Sequence, residues 1–154
     1  VGHGQLAELI AADPRVRALE GVNIRDVTPD ELGFFDLVVV DLSFISLTLV
    51  VPVLCSLMAP EGQGVFLVKP QFEVGRGRLG KNGLVRDESD RRTALARVAA
   101  VARENGLFPR AFVASPIVGT SGNVEYLMWV TRHLDRALDD DEAALASAVS
   151  EGHR

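Results

Sequence analysis

A chain of 154 residues with 47% hydrophobic and 24% charged content is long and apolar enough for one globular core, which excludes a disordered or fibrous chain. Its net charge of −5 excludes a protein that grips nucleic acid with its whole surface, because phosphate neutralisation needs clustered cations. No apolar run approaches the roughly 20 residues that cross a bilayer, no secretory pattern opens the chain, and the lone Cys55 has no internal disulfide partner, so a reducing, cytoplasmic setting without membrane contact is expected.

In chain order, residues 5–12 read as a short helix stopped by Asp13-Pro14, and residues 16–22 as a strand. Residues 37–41, Leu-Val-Val-Val-Asp, and residues 64–69, Gly-Val-Phe-Leu-Val-Lys, are apolar, β-branched runs that each end in a charge, as expected of parallel strands buried on both faces. Between them, Ser46 is placed to cap a helix reaching about Met58, with Pro52 either kinking it or tolerated near its start. Cys55 falls on this helix as a small core residue. Asp87 or Ser89 starts a helix with Leu95, Val98, Ala99 and Ala102 at helical spacing, ended by Asn105-Gly106. Residues 108–114 and 123–130 then read as strands with no helix between them, hence as an antiparallel hairpin at one edge. A polar stretch after Asp135 holds a short helix near residues 142–149.

This order predicts the later part of an open α/β sheet, mostly parallel with an antiparallel last strand and without its opening strand. The expected division is a domain over residues 1–134 and an acidic tail over residues 135–154.

Charge is unevenly distributed. Between Lys69 and Arg97 lie eight of the 16 basic residues against four acids, a net +4 that leaves −9 elsewhere. A basic face follows. Within it, residues 75–80 match G-x-G-x-x-G, yet Pro70-Gln-Phe-Glu-Val separates strand from glycine and no helix start follows, so a dinucleotide fingerprint is rejected. The better reading is a mobile basic loop whose Arg76, Arg78, Lys81 and Arg86 meet a phosphate backbone; a plain surface loop is the alternative. Gly119-Thr-Ser121-Gly-Asn123 lacks the last glycine of a nucleophile elbow. His3, His133 and His153 have no metal-ligand spacing, so no metal is expected.

Asp41, Lys69 and Glu125 each adjoin an apolar strand. In an open sheet the ligand sits outside the carboxyl ends of the parallel strands, and the start of an antiparallel strand reaches that same edge. Three segments thus deliver charge to one rim, as a site or as a structural ion pair.

Four runs carry a resemblance: residues 1–6 (Val-Gly-His-Gly-Gln-Leu), 41–46 (Asp-Leu-Ser-Phe-Ile-Ser), 67–73 (Leu-Val-Lys-Pro-Gln-Phe-Glu) and 122–127 (Gly-Asn-Val-Glu-Tyr-Leu). In order and spacing they resemble the TlyA family, known both as hemolysins and as ribosomal RNA ribose 2′-O-methyltransferases, and more widely the FtsJ-type RNA methyltransferases. The resemblance implies a Rossmann-like fold that uses S-adenosylmethionine, with ribosomal RNA or ribosomal subunits as partners. It also implies a Lys-Asp-Lys-Glu tetrad in which Asp41, Lys69 and Glu125 are the second, third and fourth members. The first lysine, a cofactor loop and an S4-like RNA-binding domain would precede Val1. Asn23 would lie near the adenine, with Asp41 and the backbone of Leu42 to Phe44 below the sulfonium. Phe44 would support the cofactor or a flipped nucleotide, or be a buried aromatic. Lys69 would be the base, which requires the neutral amine that burial and nearby cations favour and carboxylates oppose.

On this reading the 154 residues are a portion inactive alone. The other readings are a non-catalytic RNA-binding remnant and a membrane-active hemolysin.

Overall fold

A computed structural model describes residues 2–152; Val1, which opens the first of the four runs, and His153 and Arg154, which close the acidic tail, lie outside the described residues. Four strands, β1 (Phe35–Val40), β2 (Met58–Val68), β3 (Phe108–Ala114) and β4 (Tyr126–Thr131), form one sheet in the order β1-β2-β4-β3. β1 and β2 pair in parallel, and β4 runs antiparallel to both β2 and β3. Three strands therefore share a direction that the last one opposes, as predicted, and β4 lies inside the sheet with β3 at its margin.

Alternation along the strands decides which side chains enter the core. Phe66 and Val68 of β2, and Tyr126, Met128 and Val130 of β4, point to one face and are fully buried. Against that face pack α3 (Val51–Leu57), α5 (Glu88–Glu104) and α6 (Asp141–Glu151). α5 buries Leu95, Val98, Ala99 and Ala102 as its spacing predicts; Asp87 holds its N-cap position, and Gly106, with φ of 77°, follows Asn105 at its end. Pro52 sits in the first turn of α3, where its missing N–H has no helical acceptor to lose. The expected helix from Ser46 is instead two pieces. The Ser46 hydroxyl accepts from the Thr48 N–H to cap a 3-10 turn, Leu47–Leu49, and α3 begins after it. Cys55 is buried, its thiol donating to the Asn105 carbonyl at 2.9 Å. In the acidic segment, α6 buries Leu145, Ala148 and Val149 in the same core, and Asp141 takes a two-pronged hydrogen bond from Arg103 at 2.6 and 2.7 Å. Burying a leucine stabilises by about 1.5–3 kcal/mol, so this segment is fixed to the sheet despite its acidity.

Three expectations are corrected. Residues 16–22 form no strand: the apolar residues are there, but among the described residues no strand offers them a ladder, and Val16, Leu19 and Val22 are exposed. They follow a single helical turn, α1 (Glu8–Ala11), that buries none of its residues. β1 is not buried on both faces: Val38 and Val40 pack into the core, whereas Leu37 and Val39, which alternate with them, are 59% and 69% exposed on the face that no described helix covers. The last strand starts at Tyr126 rather than Asn123, because residues 119–123 close a turn through Gly119 N–H to Asn123 carbonyl and Gly122 N–H to Gly119 carbonyl bonds.

Two features were not read from the sequence. Thr28 and Glu31 form a reciprocal capping box on a short helical turn, α2 (Pro29–Leu32). β2 extends back to Met58 through a bulge opposite Phe35, where Gly62 is required: a β-carbon there would lie 2.9 Å from the carbonyl oxygens of Ala59 and Phe35.

Candidate active site

Because β1 and β2 are parallel, the residues that follow them emerge at one rim. Lys69, directly after β2, reaches back across the strand pair, and its Nζ lies 2.7 Å from Oδ1 of Asp41, directly after β1. The same ammonium donates to Ser43 Oγ at 3.1 Å. β4 opposes β2, with Tyr126 in register with Val68, so Glu125 arrives at this rim from the other side. Glu125 makes no ion pair with Lys69; its Oε1 accepts a hydrogen bond from Gln71 Nε2 at 3.0 Å. Gln71 belongs to α4 (Pro70–Glu73), the single turn that begins next to Lys69. One carboxylate thus meets the amine directly, and the other is tied to the turn that begins beside that amine.

Lys69, Gln71 and Glu125 line a cavity of about 750 Å³ together with Ser43, Phe44 and Arg76. Phe44 is no buried aromatic. It is 92% exposed, stands at φ 64°, and tilts against Phe72 with ring centroids 5.3 Å apart. A non-glycine residue with positive φ is uncommon and costs strain, which the hydrogen bonds around it must offset. Those bonds come from Glu73, almost fully buried at 4% exposure. Ser46 Oγ–H donates to one of its oxygens at 2.5 Å and the Leu47 N–H to the other at 2.7 Å. Burial pushes the Glu73 carboxyl above the usual carboxylate range, opposed in part by those two hydrogen bonds and by Arg97.

A second, apolar cleft of about 350 Å³ follows β1, lined by Ile24, Leu32, Leu37, Val39, Asp41 and Leu42. Asp41 lines this cleft and Lys69 the larger cavity, so their ion pair stands where the two meet. Asn23 is set apart from both linings. Its Oδ1 accepts the Arg25 N–H at 3.1 Å, capping a 3-10 turn whose Ile24 does enter the cleft.

The basic segment is less uniform than its charge suggested. Arg78 pairs with Asp90 at 2.7 Å, Arg92 pairs with Glu142, and Arg91 and Arg97 donate to backbone carbonyls. Arg76, Lys81 and Arg86 are exposed, and among the described residues no ion pair involves them. The loop that carries them is built from two 3-10 turns, Arg76–Arg78 and Lys81–Gly83, with Asn82 at φ 64°. Sequence reasoning named the backbone of residue 43 but not the Ser43 hydroxyl that meets Lys69, and it missed Gln71, Glu73 and Asn123. The one signal available for Gln71 and Glu73 was their place in the Pro-Gln-Phe-Glu run.

The chain belongs to the FtsJ-like methyltransferase family, whose model matches residues 1–132. It is 47% identical, over 99% of its length, to the 16S/23S rRNA (cytidine-2′-O)-methyltransferase TlyA of Mycobacterium tuberculosis, of which it spans 58%. It is 35% identical over 82% of its length to Hemolysin A of Brachyspira hyodysenteriae, of which it spans 54%. A protein of Streptococcus thermophilus solved under a hemolysin name superposes with a TM-score of 0.90 at 36% identity, over 99% of this chain and 55% of that one. The chain thus spans little more than half the length of these relatives. Among the described residues no helix is long and apolar enough to cross a membrane.

Proposed function

We propose that this chain carries the catalytic rim of an enzyme that transfers a methyl group from S-adenosylmethionine to a ribose 2′-hydroxyl of ribosomal RNA in the cytoplasm. The observation that carries this reading is the Asp41–Lys69 ion pair at the junction of an apolar cleft and a polar cavity, with Glu125 on the wall of the latter.

The cleft beside β1 fits the cofactor in its chemistry: apolar walls from Ile24, Leu32 and Leu42 suit a base ring, and the Asp41 carboxylate at the rim suits a cationic centre. Asp41, Leu42 and the 42–44 backbone would hold it, with Asn23 acting only through the turn it caps. S-adenosylmethionine, when bound, supplies an electrophilic methyl group on a positively charged sulfur. The protein's own task is the proton. A ribose hydroxyl is a weak nucleophile until its proton leaves, and that proton passes to Lys69 Nζ in its neutral form. Asp41 Oδ1, 2.7 Å away, accepts a hydrogen bond from the ammonium that forms and stabilises its charge, and the Asp41 side chain, 69% exposed, opens to solvent. Ser43 fixes the amine from a second direction, and Glu125 holds Gln71 and the turn that follows Lys69. Arg76, Lys81 and Arg86 face the RNA backbone, with Arg78 contributing less because Asp90 already engages it. Phe44 offers an exposed ring to a nucleobase.

The test uses the protein as its natural gene encodes it, with ribosomal RNA and methyl-labelled S-adenosylmethionine, followed by alkaline hydrolysis. A methylated 2′-oxygen blocks cleavage of the adjoining phosphodiester, so label should appear in alkali-resistant dinucleotides. Label in mononucleotides would mean base methylation and overturn the reading.

A further inference from the structure

Asn123 has a 2% exposed side chain that the proposed chemistry does not use. Its Oδ1 accepts the Val85 N–H at 2.9 Å, and its Nδ2 donates to the Gly83 carbonyl at 3.0 Å. The partners fix the amide orientation, since an N–H only donates and a carbonyl only accepts. The side chain therefore pairs as a strand neighbour would with a segment about 40 residues away. That segment is the exit of the basic loop, where Gly83 has φ of 74° and Val85 is buried. From the other side, Arg91 of α5 donates to the carbonyls of Val85 at 3.2 Å and Arg86 at 2.8 Å. The backbone of Asn123 meanwhile accepts the Gly119 N–H, and Glu125 stands two residues on.

We propose that Asn123 is a positioning residue that locks the exit of the basic loop to the strand entry bearing Glu125, fixing the spacing between the loop cations and the catalytic rim. Without the lock, residues 75–86 keep their ties to α5 through Arg91 and the Arg78–Asp90 ion pair but lose their tie to the strand that Glu125 enters, and Arg76 and Lys81 no longer hold one distance from Glu125. The consequence for RNA rests on the loop's proposed phosphate contacts; the lock itself does not.

Trypsin reads the lock directly, because the loop holds Arg76, Arg78, Lys81 and Arg86 while Arg103, Arg110 and Arg132 report on the rest of the fold. Two buried hydrogen bonds are lost in Asn123→Ala, so cleavage within residues 75–86 should rise roughly tenfold with little change at the other three arginines. Asn123→Asp has the same shape and keeps the acceptor for Val85 but turns an acceptor oxygen toward the Gly83 carbonyl, so loop cleavage should rise at least as much as in Asn123→Ala. Equal acceleration at every site, or none in either variant, overturns the lock. Binding of a labelled oligouridine over a salt series separates the second claim: both variants should bind more weakly, with a salt slope shallower by about one phosphate contact. Selective loop cleavage with unchanged affinity and slope would uphold the lock and remove the loop from RNA binding.

Discussion

Replacing Lys69 by alanine should lower methyl transfer by about 10²–10⁴-fold, the range expected for loss of a positioned base, while the affinity for S-adenosylmethionine changes little. The split follows from position. Lys69 lines the larger cavity and is absent from the lining of the apolar cleft beside β1, where the cofactor is proposed to bind. Loss of the amine leaves that cleft's walls intact but takes the proton acceptor from the hydroxyl. Lys69→Arg should give no rescue, because a guanidinium keeps its proton at any working pH. Turnover assays beside calorimetric titration with S-adenosylmethionine read the two quantities separately, and retained turnover in Lys69→Ala would remove Lys69 as the base.

The second large effect is expected at Glu73, and it depends on pH. Burial raises its native pKa, so between the ordinary carboxylate range and that raised value the native state holds a proton the unfolded chain has released. The stability Glu73 contributes is then fully present below the unfolded pKa and is lost as pH rises through the native one. Glu73→Gln, which is neutral throughout, should abolish this decline. Glu73→Ala removes the acceptor for both Ser46 Oγ–H and the Leu47 N–H and should destabilise by about 1–3 kcal/mol, the range for buried donors left unpaired. Urea unfolding across a pH series checks both, and an undiminished decline in Glu73→Gln would contradict the assignment.

The rim was legible in the sequence because strand direction alone determines it. Two parallel strands ending in Asp41 and Lys69 must deliver both charges to one edge, and an antiparallel strand entered through Glu125 must begin there. The helices were legible where a cap and a 3.6-residue spacing agreed, as in α5. What could not be read depends on partners remote in sequence. Gln71 meets Glu125 across 54 positions, Asn123 meets Val85 across 38, and Ser46 meets Glu73 across 27, and no local periodicity encodes such pairs. Residues 16–22 have strand-like composition but no ladder, and β1 has a core-like composition on two faces of which the described helices cover one. Phe44 is apolar by identity, yet its positive φ puts it at an exposed turn.

That Asp41, Lys69 and Glu125 work as one chemical unit is most directly tested by methyl-transfer rates for Asp41→Ala, Lys69→Ala, Glu125→Ala and the triple variant. Members of one unit lose their effect together, so the triple variant should fall to within about tenfold of the worst single one. Losses that multiply across the three positions would mean independent contributions and contradict a shared site.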